Sequence, residues 1–196
     1  ILYASDNEKQ HGYIQSAKQK GYEILLLDSP IIGHLLQKLE GSKEKIQFAR
    51  VDSDHIDNLI KKETSQVSKL SDDEKKKLED IVKETINDEK FIVKLEAMDS
   101  NENPFIITNP EFMRRMKEMQ QSGGGGGMFG SGNMPEMYNL VVNTNSNLIT
   151  QIVGTKTKKK QQKLISQSVD LAKLSHGLLI GEDLTKFIKR SYEIIK

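Results

Sequence analysis

Four histidines, His11, His34, His55 and His176, are the residues best suited to metal binding or acid–base chemistry near neutral pH. None has a second ligand at a metal spacing such as H-x-x-x-H or H-E-x-x-H. His176 lies among apolar residues and reads as a packed or interface histidine, and His34, after Ile32-Gly33, reads the same way. The chain has no cysteine, which removes disulfides, thiolate nucleophiles and Cys-ligated zinc. Gly123 to Gly127 lacks the lysine and flanking strand of a phosphate cradle and reads as a flexible coil. There is no G-x-S-x-G elbow. Carboxylates are numerous, but none sits in an apolar setting that would raise its pKa. No catalytic, metal-ligating or cofactor-binding residue is assigned.

Two polar groupings remain. Lys156, Lys158, Lys159, Lys160 and Lys163 could touch phosphates or an acidic partner, but no aromatic residue is interleaved, which disfavours single-stranded nucleic acid. Ser5, Asp6, Asn7, Asp28 and Ser29 fall at the carboxyl ends of two expected strands, where parallel sheets bind ligands. They keep open an alternative reading, a monomeric α/β enzyme fragment.

Two apolar patterns point instead to binding. Phe112, Met113, Met116 and Met119 share an arc of about 120° on a helical wheel, with Arg114, Arg115, Lys117 and Glu118 opposite. Methionine suits surfaces that accept many apolar partners, and Met128 and Phe129 follow within the glycine-rich stretch. Near the end, Leu164, Ile165, Val169, Leu171, Ala172, Leu174, Leu178 and Leu179 spread over about 220° of a helix expected over 164–179. A last helix from Glu182-Asp183 carries Leu184, Phe187, Ile188, Tyr192, Ile194 and Ile195. Two such antiparallel helices could cover the sheet of their own domain, but the width of the face favours pairing with the same helices of a second chain in a four-helix bundle. The expected interface is Leu164, Leu171, Leu174, Leu178, Leu184, Phe187, Ile188 and Ile195.

These elements belong to a chain of 196 residues with 36% hydrophobic and 29% charged residues and a net charge of +1. The balance excludes a strongly basic nucleic-acid binder and an acidic tail protein. No apolar run is long enough to span a bilayer, no signal peptide opens the chain, and a cytoplasmic location is expected. Ile1-Leu2-Tyr3-Ala4 reads as the middle of a strand, so the chain is expected to be cut from a longer protein.

The expected fold class is α/β followed by α+β. Residues 1–51 predict a small parallel βαβαβ sheet: strands at 1–4, 22–27 and 46–51, and helices from Asp6 to about Lys20 and from Ser29-Pro30 to Gly41. The almost wholly apolar run Tyr22 to Leu27 fits a strand covered on both faces. Residues 52–70 suit a connector, which places domains at 1–64 and 65–196. Ser71 and Glu74 have capping-box spacing before a helix with Leu78, Ile81, Val82 and Ile86 on one face. Phe91 to Ala97 and Phe105 to Thr108 predict a hairpin, Met137 to Asn143 a third strand, and Leu148 to Val153 a short helix.

In order and spacing these segments resemble the heat shock protein 90 chaperones, bacterial HtpG type, over essentially the whole chain. Tyr22 to Ile31 is similar to the family's strand-then-helix at the end of the middle domain. Phe91 to Leu95, Pro104 to Thr108 and Phe112 to Met116 resemble the C-terminal domain's hairpin and exposed amphipathic helix. Leu140 to Asn143, Leu171 to Leu178 and Phe187 to Ile195 resemble its later strand and its dimerisation helices. Ile32-Gly33-His34 replaces the family's acidic pair, and Asn143-Thr144-Asn145-Ser146 lacks the usual Pro and His. The chain ends at Lys196 without the acidic tail of eukaryotic cytosolic members, in keeping with a bacterial one. The resemblance implies a homodimeric chaperone that uses ATP and Mg²⁺ and binds unfolded or partly folded clients. It implies that the ATP site lies in a part of the protein absent here, so this fragment is not expected to be an enzyme or to hold a cofactor. The client surface would be Phe112, Met113, Met116, Met119, Met128 and Phe129.

Overall fold

The computed structural model of the chain describes residues 1–29, 31–42, 45–60, 66–121 and 136–195. In chain order these form β1 (Leu2–Ala4), α1 (His11–Gln19), β2 (Leu25–Leu26), α2 (Ile32–Ser42), β3 (Ala49–Arg50), α3 (Ile56–Leu59), α4 (Asp72–Ile86), β4 (Phe91–Glu96), β5 (Phe105–Thr108), α5 (Glu111–Gln121), β6 (Tyr138–Asn143), α6 (Asn147–Gly154), α7 (Lys158–Ser175) and α8 (Gly181–Ile195). They gather into two compact units. Ile1–Lys61 with Thr108–Tyr138 makes the first, and Lys62–Ile107 with Asn139–Lys196 the second.

In the first unit β1 pairs in parallel with β2 (Tyr3 opposite Leu25) and with β3 (Leu2 opposite Ala49), giving the order β2-β1-β3. Successive β1 side chains leave opposite faces. Leu2 and Ala4 meet Ile14 and Ala17 of α1 with Val51 and Ile56, whereas Tyr3 meets Leu36 of α2 and Phe48. The strand covered on both faces is therefore β1. The run at 22–27, expected to be covered, is the sheet edge, with Leu25 49% and Leu26 55% exposed. Its apolar composition was read as burial, but the two crossovers place β1 in the middle.

Two further boundaries differ. Asp6 does not begin the first helix. Its carboxylate accepts the Glu8 and Lys9 N–H groups (3.1 and 3.0 Å) and closes a separate turn, and α1 starts at His11. The supposed connector after residue 51 holds α3 and the buried polar residues Asp52, Ser53 and His55.

In the second unit, α4 begins with the expected box: the Glu74 N–H reaches the Ser71 hydroxyl, and Glu74 accepts the Ser71 N–H at 2.9 Å. Glu74 is consequently held below the usual carboxylate range, chiefly by that backbone N–H. Leu78 and Val82 are buried on the α4 face that packs against β4 and α7. The sheet order is β4-β6-β5. The hairpin expected between β4 and β5 does not form, because β6, buried at all six positions, lies between them. Leu140, Val141 and Val142 of β6 join Ile149, Ile152 and Ile165 among the most deeply buried side chains.

Asn143 and Asn145 close this sheet at one end, and both are buried. Asn143 Nδ2 donates to Asp99 O at 2.8 Å, and its Oδ1 accepts from Met98 N at 3.3 Å. Asn145 Nδ2 donates to Val67 O and Met98 O, both at 3.1 Å, and its Oδ1 accepts Lys69 N at 2.8 Å. These two carboxamides thus supply the partners that buried backbone requires.

Candidate interaction surfaces

The terminal helices form a hairpin. Its turn is a Schellman motif: Leu178 N donates to Lys173 O (2.8 Å) and Gly177 N to Leu174 O (3.1 Å). Gly177 sits at φ +75°, a left-handed conformation that glycine adopts without Cβ strain. α8 then returns beside α7. Arg190 Nε donates to Gln167 Oε1 at 2.8 Å, Gln167 Nε2 to Ser191 Oγ at 3.2 Å, and Arg190 pairs with Asp170.

This hairpin sorts the expected interface residues. Ile165, Val169 and Ala172 turn inward, and Phe187 is 7% exposed. Leu164, Leu178 and Leu184 are half-buried. Leu171, Leu174, Ile188 and Ile195 are exposed, and Ile188, at 44%, is the immediate neighbour of buried Phe187. Tyr192 is exposed with them. One chain therefore leaves a run of aliphatic and aromatic surface along α7 and α8 that its own second unit does not cover.

α7 starts at Lys158, six residues before the expected Leu164. The basic cluster is thus helix surface, with Lys158, Lys159, Lys160 and Lys163 exposed and Lys158 paired with Glu84 at 2.7 Å. A cavity of about 230 Å³ in the same unit is walled by Asp170, Lys173, Asp183, Lys186 and Arg190 among others. Its two carboxylates and three cations largely neutralise one another. Lys173 is drawn over the Phe91 ring, 4.9 Å from its centre. His176 is half-buried at the end of α7, whereas His34, expected to be packed, is exposed on α2.

The second surface is α5, which belongs to the first unit. The wheel placed Arg114 and Arg115 opposite the Phe112–Met119 arc. Instead that side is docked: Arg114 is 8% exposed and donates to the Tyr3 hydroxyl at 2.7 Å, and Arg115 forks onto Glu40 of α2. Phe112 is 70% exposed, and Met113 and Met116 are half-buried. The Met119 side chain, Met128 and Phe129 lie outside the described residues, as do Gly123 to Gly127.

The polar residues at the carboxyl end of the parallel sheet are occupied with one another. Gln10 Oε1 accepts the N–H groups of Ser5 and Asp6 (2.7 and 2.9 Å), and Arg50 Nε donates to Asp52 at 2.6 Å. Asn7, Asp28 and Ser29 are exposed there. Burial raises the Tyr13 pKa above its ordinary value, with a smaller push from Asp52.

Sequence reasoning missed the Glu40–Arg115 pair and the roles of Asn143 and Asn145. The asparagines left a signal, two amides directly behind the apolar run Leu140-Val141-Val142. The ion pair left none, since its partners are 75 residues apart.

Comparison with known proteins identifies the family. The family model described as "Hsp90 protein" matches residues 3–196. Chaperone protein HtpG of Porphyromonas gingivalis is 32% identical over 261 aligned residues, covering 99% of this chain and 38% of that protein. The HtpG chaperones of Bacteroides fragilis and Bacteroides thetaiotaomicron are each 30% identical with the same coverage. The chain therefore spans well under half the length of these relatives, and it belongs to the Hsp90 family, as a stretch of an HtpG-type chaperone.

Proposed function

We propose that this stretch is the dimerisation and client-binding region of an ATP-dependent, cytoplasmic HtpG-type chaperone. The observation that carries the reading is the uncovered apolar run of Leu171, Leu174, Ile188, Tyr192 and Ile195 along α7 and α8. A two-fold pairing of this hairpin with its copy buries that run in a four-helix bundle. Leu164, Leu178 and Leu184, half-buried already, lie at its margin. Dimerisation then raises the effective concentration of the two copies of the rest of the protein for each other.

α5 is the proposed contact for unfolded clients, through Phe112, Met113 and Met116. An exposed aromatic ring beside adaptable methionines suits apolar segments of varied sequence.

The N-terminal turns of α4, α5 and α8 carry Asp72, Asp73, Glu74, Glu111, Glu182 and Asp183, carboxylates that repel phosphate from these helix ends. In this reading ATP and Mg²⁺ are bound by the remainder of the whole protein, as the resemblance to the heat shock protein 90 family implies. The enzyme reading is disfavoured because the Asp6 carboxylate is held by the Glu8 and Lys9 N–H groups, and Arg50 engages Asp52 and the Ser5 hydroxyl.

Sedimentation equilibrium from about 0.1 to 100 micromolar, the range of ordinary stable dimers, tests the pairing. A mass near twice 22.2 kDa that falls to one chain in Leu171→Asp with Ile188→Asp supports it. A steady monomer refutes it.

A further inference from the structure

An amphipathic helix ordinarily buries its apolar arc, but in α5 Phe112 is 70% exposed and Met113 and Met116 are only half-buried, while Arg114 is buried. Arg115 Nη1 donates to Glu40 Oε2 (2.6 Å), and Nη2 to Glu40 Oε1 (3.0 Å) and to Phe48 O (2.8 Å). Its Nε donates to Glu111 Oε1 at 2.6 Å. Glu40 Oε1 also accepts the Phe48 N–H at 2.7 Å, so both backbone polar groups of Phe48 end on this ion pair. On the preceding residue, Arg114 Nη2 bonds the Tyr3 hydroxyl and Glu111, which ties the helix to the central strand β1. Asn109 N donates to Asp52 O at 2.8 Å and fixes where the chain enters α5.

We propose that Arg115 and Glu40, backed by Arg114 and Tyr3, are positioning residues that clamp α5 by its polar face so that Phe112 is presented outward. The proposal rests on the reading of α5 as a client contact. Apolar packing alone would not produce this orientation. It is non-directional, and it would turn the Phe112–Met116 arc inward. A bidentate guanidinium–carboxylate pair fixes rotation as well as position, because turning the helix by one residue breaks both bonds. Arg115 also holds the Glu40 carboxyl below the usual carboxylate range, so the pair stays charged across neutral pH. Glu40 and Arg115 side chains are still 20% and 34% exposed. Water reaches them, and the clamp can open without exposing a hydrophobic core.

The test is amide hydrogen exchange over residues 111–117 in the intact protein containing this chain, for Arg115→Gln, Glu40→Gln and the double variant. Each single substitution is expected to speed exchange there on the order of ten-fold, with β1 and α1 amides unchanged. The double variant is expected to exchange no faster than the faster single, since both singles break the same ion pair. Unchanged exchange in Arg115→Gln, or single effects that multiply in the double, overturns the clamp. If Glu40→Gln unfolds the first unit, Arg115→Gln decides alone. Binding of a reduced, carboxymethylated protein is measured in parallel. Faster exchange with unchanged binding leaves the clamp standing and removes α5 from client contact. Unchanged exchange, with binding abolished by Phe112→Ser, does the opposite.

Discussion

Asn143 Oδ1 accepts the backbone N–H of Asn145 at 3.0 Å, and this bond aims the Asn145 carboxamide at two other strands of chain. Asn145 then satisfies Lys69 N, Val67 O and Met98 O. Asn145→Ala should cost about 2–4 kcal/mol in urea unfolding, because buried backbone groups lose their partners. Asn145→Asp should cost at least as much at neutral pH, since a carboxylate would face two carbonyl oxygens.

The capping box of α4 predicts a graded pair of effects. Ser71→Ala should lower stability by about 1 kcal/mol. Glu74→Gln should cost less, because an amide oxygen can still accept the Ser71 N–H. Equal losses in thermal unfolding would mean that the charge on Glu74, not the bond geometry, stabilises this helix end.

Phe187 and Ile188 are neighbours with opposite duties. Phe187→Ala should destabilise even an isolated chain by about 3 kcal/mol, as for an aromatic side chain lost from a core. Ile188→Asp should leave the dilute chain's unfolding within about 0.5 kcal/mol of the parent, yet weaken self-association. If dilute Ile188→Asp unfolds as early as Phe187→Ala, that surface belongs to the chain's own core.

The pH dependence of α5 follows from Glu40. Its carboxyl is lowered below its ordinary 4.5, chiefly by the hydrogen bonds from Arg115. A lowered folded-state pKa contributes stability that is complete above the ordinary value and lost as pH falls through the lowered one. Protection of α5 amides, corrected for intrinsic exchange, should therefore stay flat from pH 7 to about 5 and decline below that. In Glu40→Gln this Glu40-dependent decline should vanish. A loss between pH 7 and 5 in the parent would point to another group.

What could be read from sequence was whatever depends on neighbours along the chain. Ser71 and Glu74 are three residues apart, and their box formed as expected. The start of α7 was missed because periodicity marks only the packed part of a helix. Lys158 to Lys163 are good helix formers with nothing to bury. β2 and the supposed β4–β5 hairpin were misplaced for a different reason. An apolar run reports that a strand is buried or paired but not which strand lies beside it, and the crossovers decide that. Arg114 and Arg115 failed most instructively. A wheel assigns arginines to water, yet here Tyr3 and Glu40, more than 70 residues away, receive them.

The order β4-β6-β5 has a consequence for how this chain comes into being. β4 ends at Glu96, but the strand that must lie beside it begins only at Tyr138. A ribosome delivers the two outer strands first and the middle one last. Until β6 emerges, each outer strand has an open edge, and such late, non-local closure is slow and exposed to mispairing. A chain proposed to bind unfolded proteins thus passes through such an interval itself.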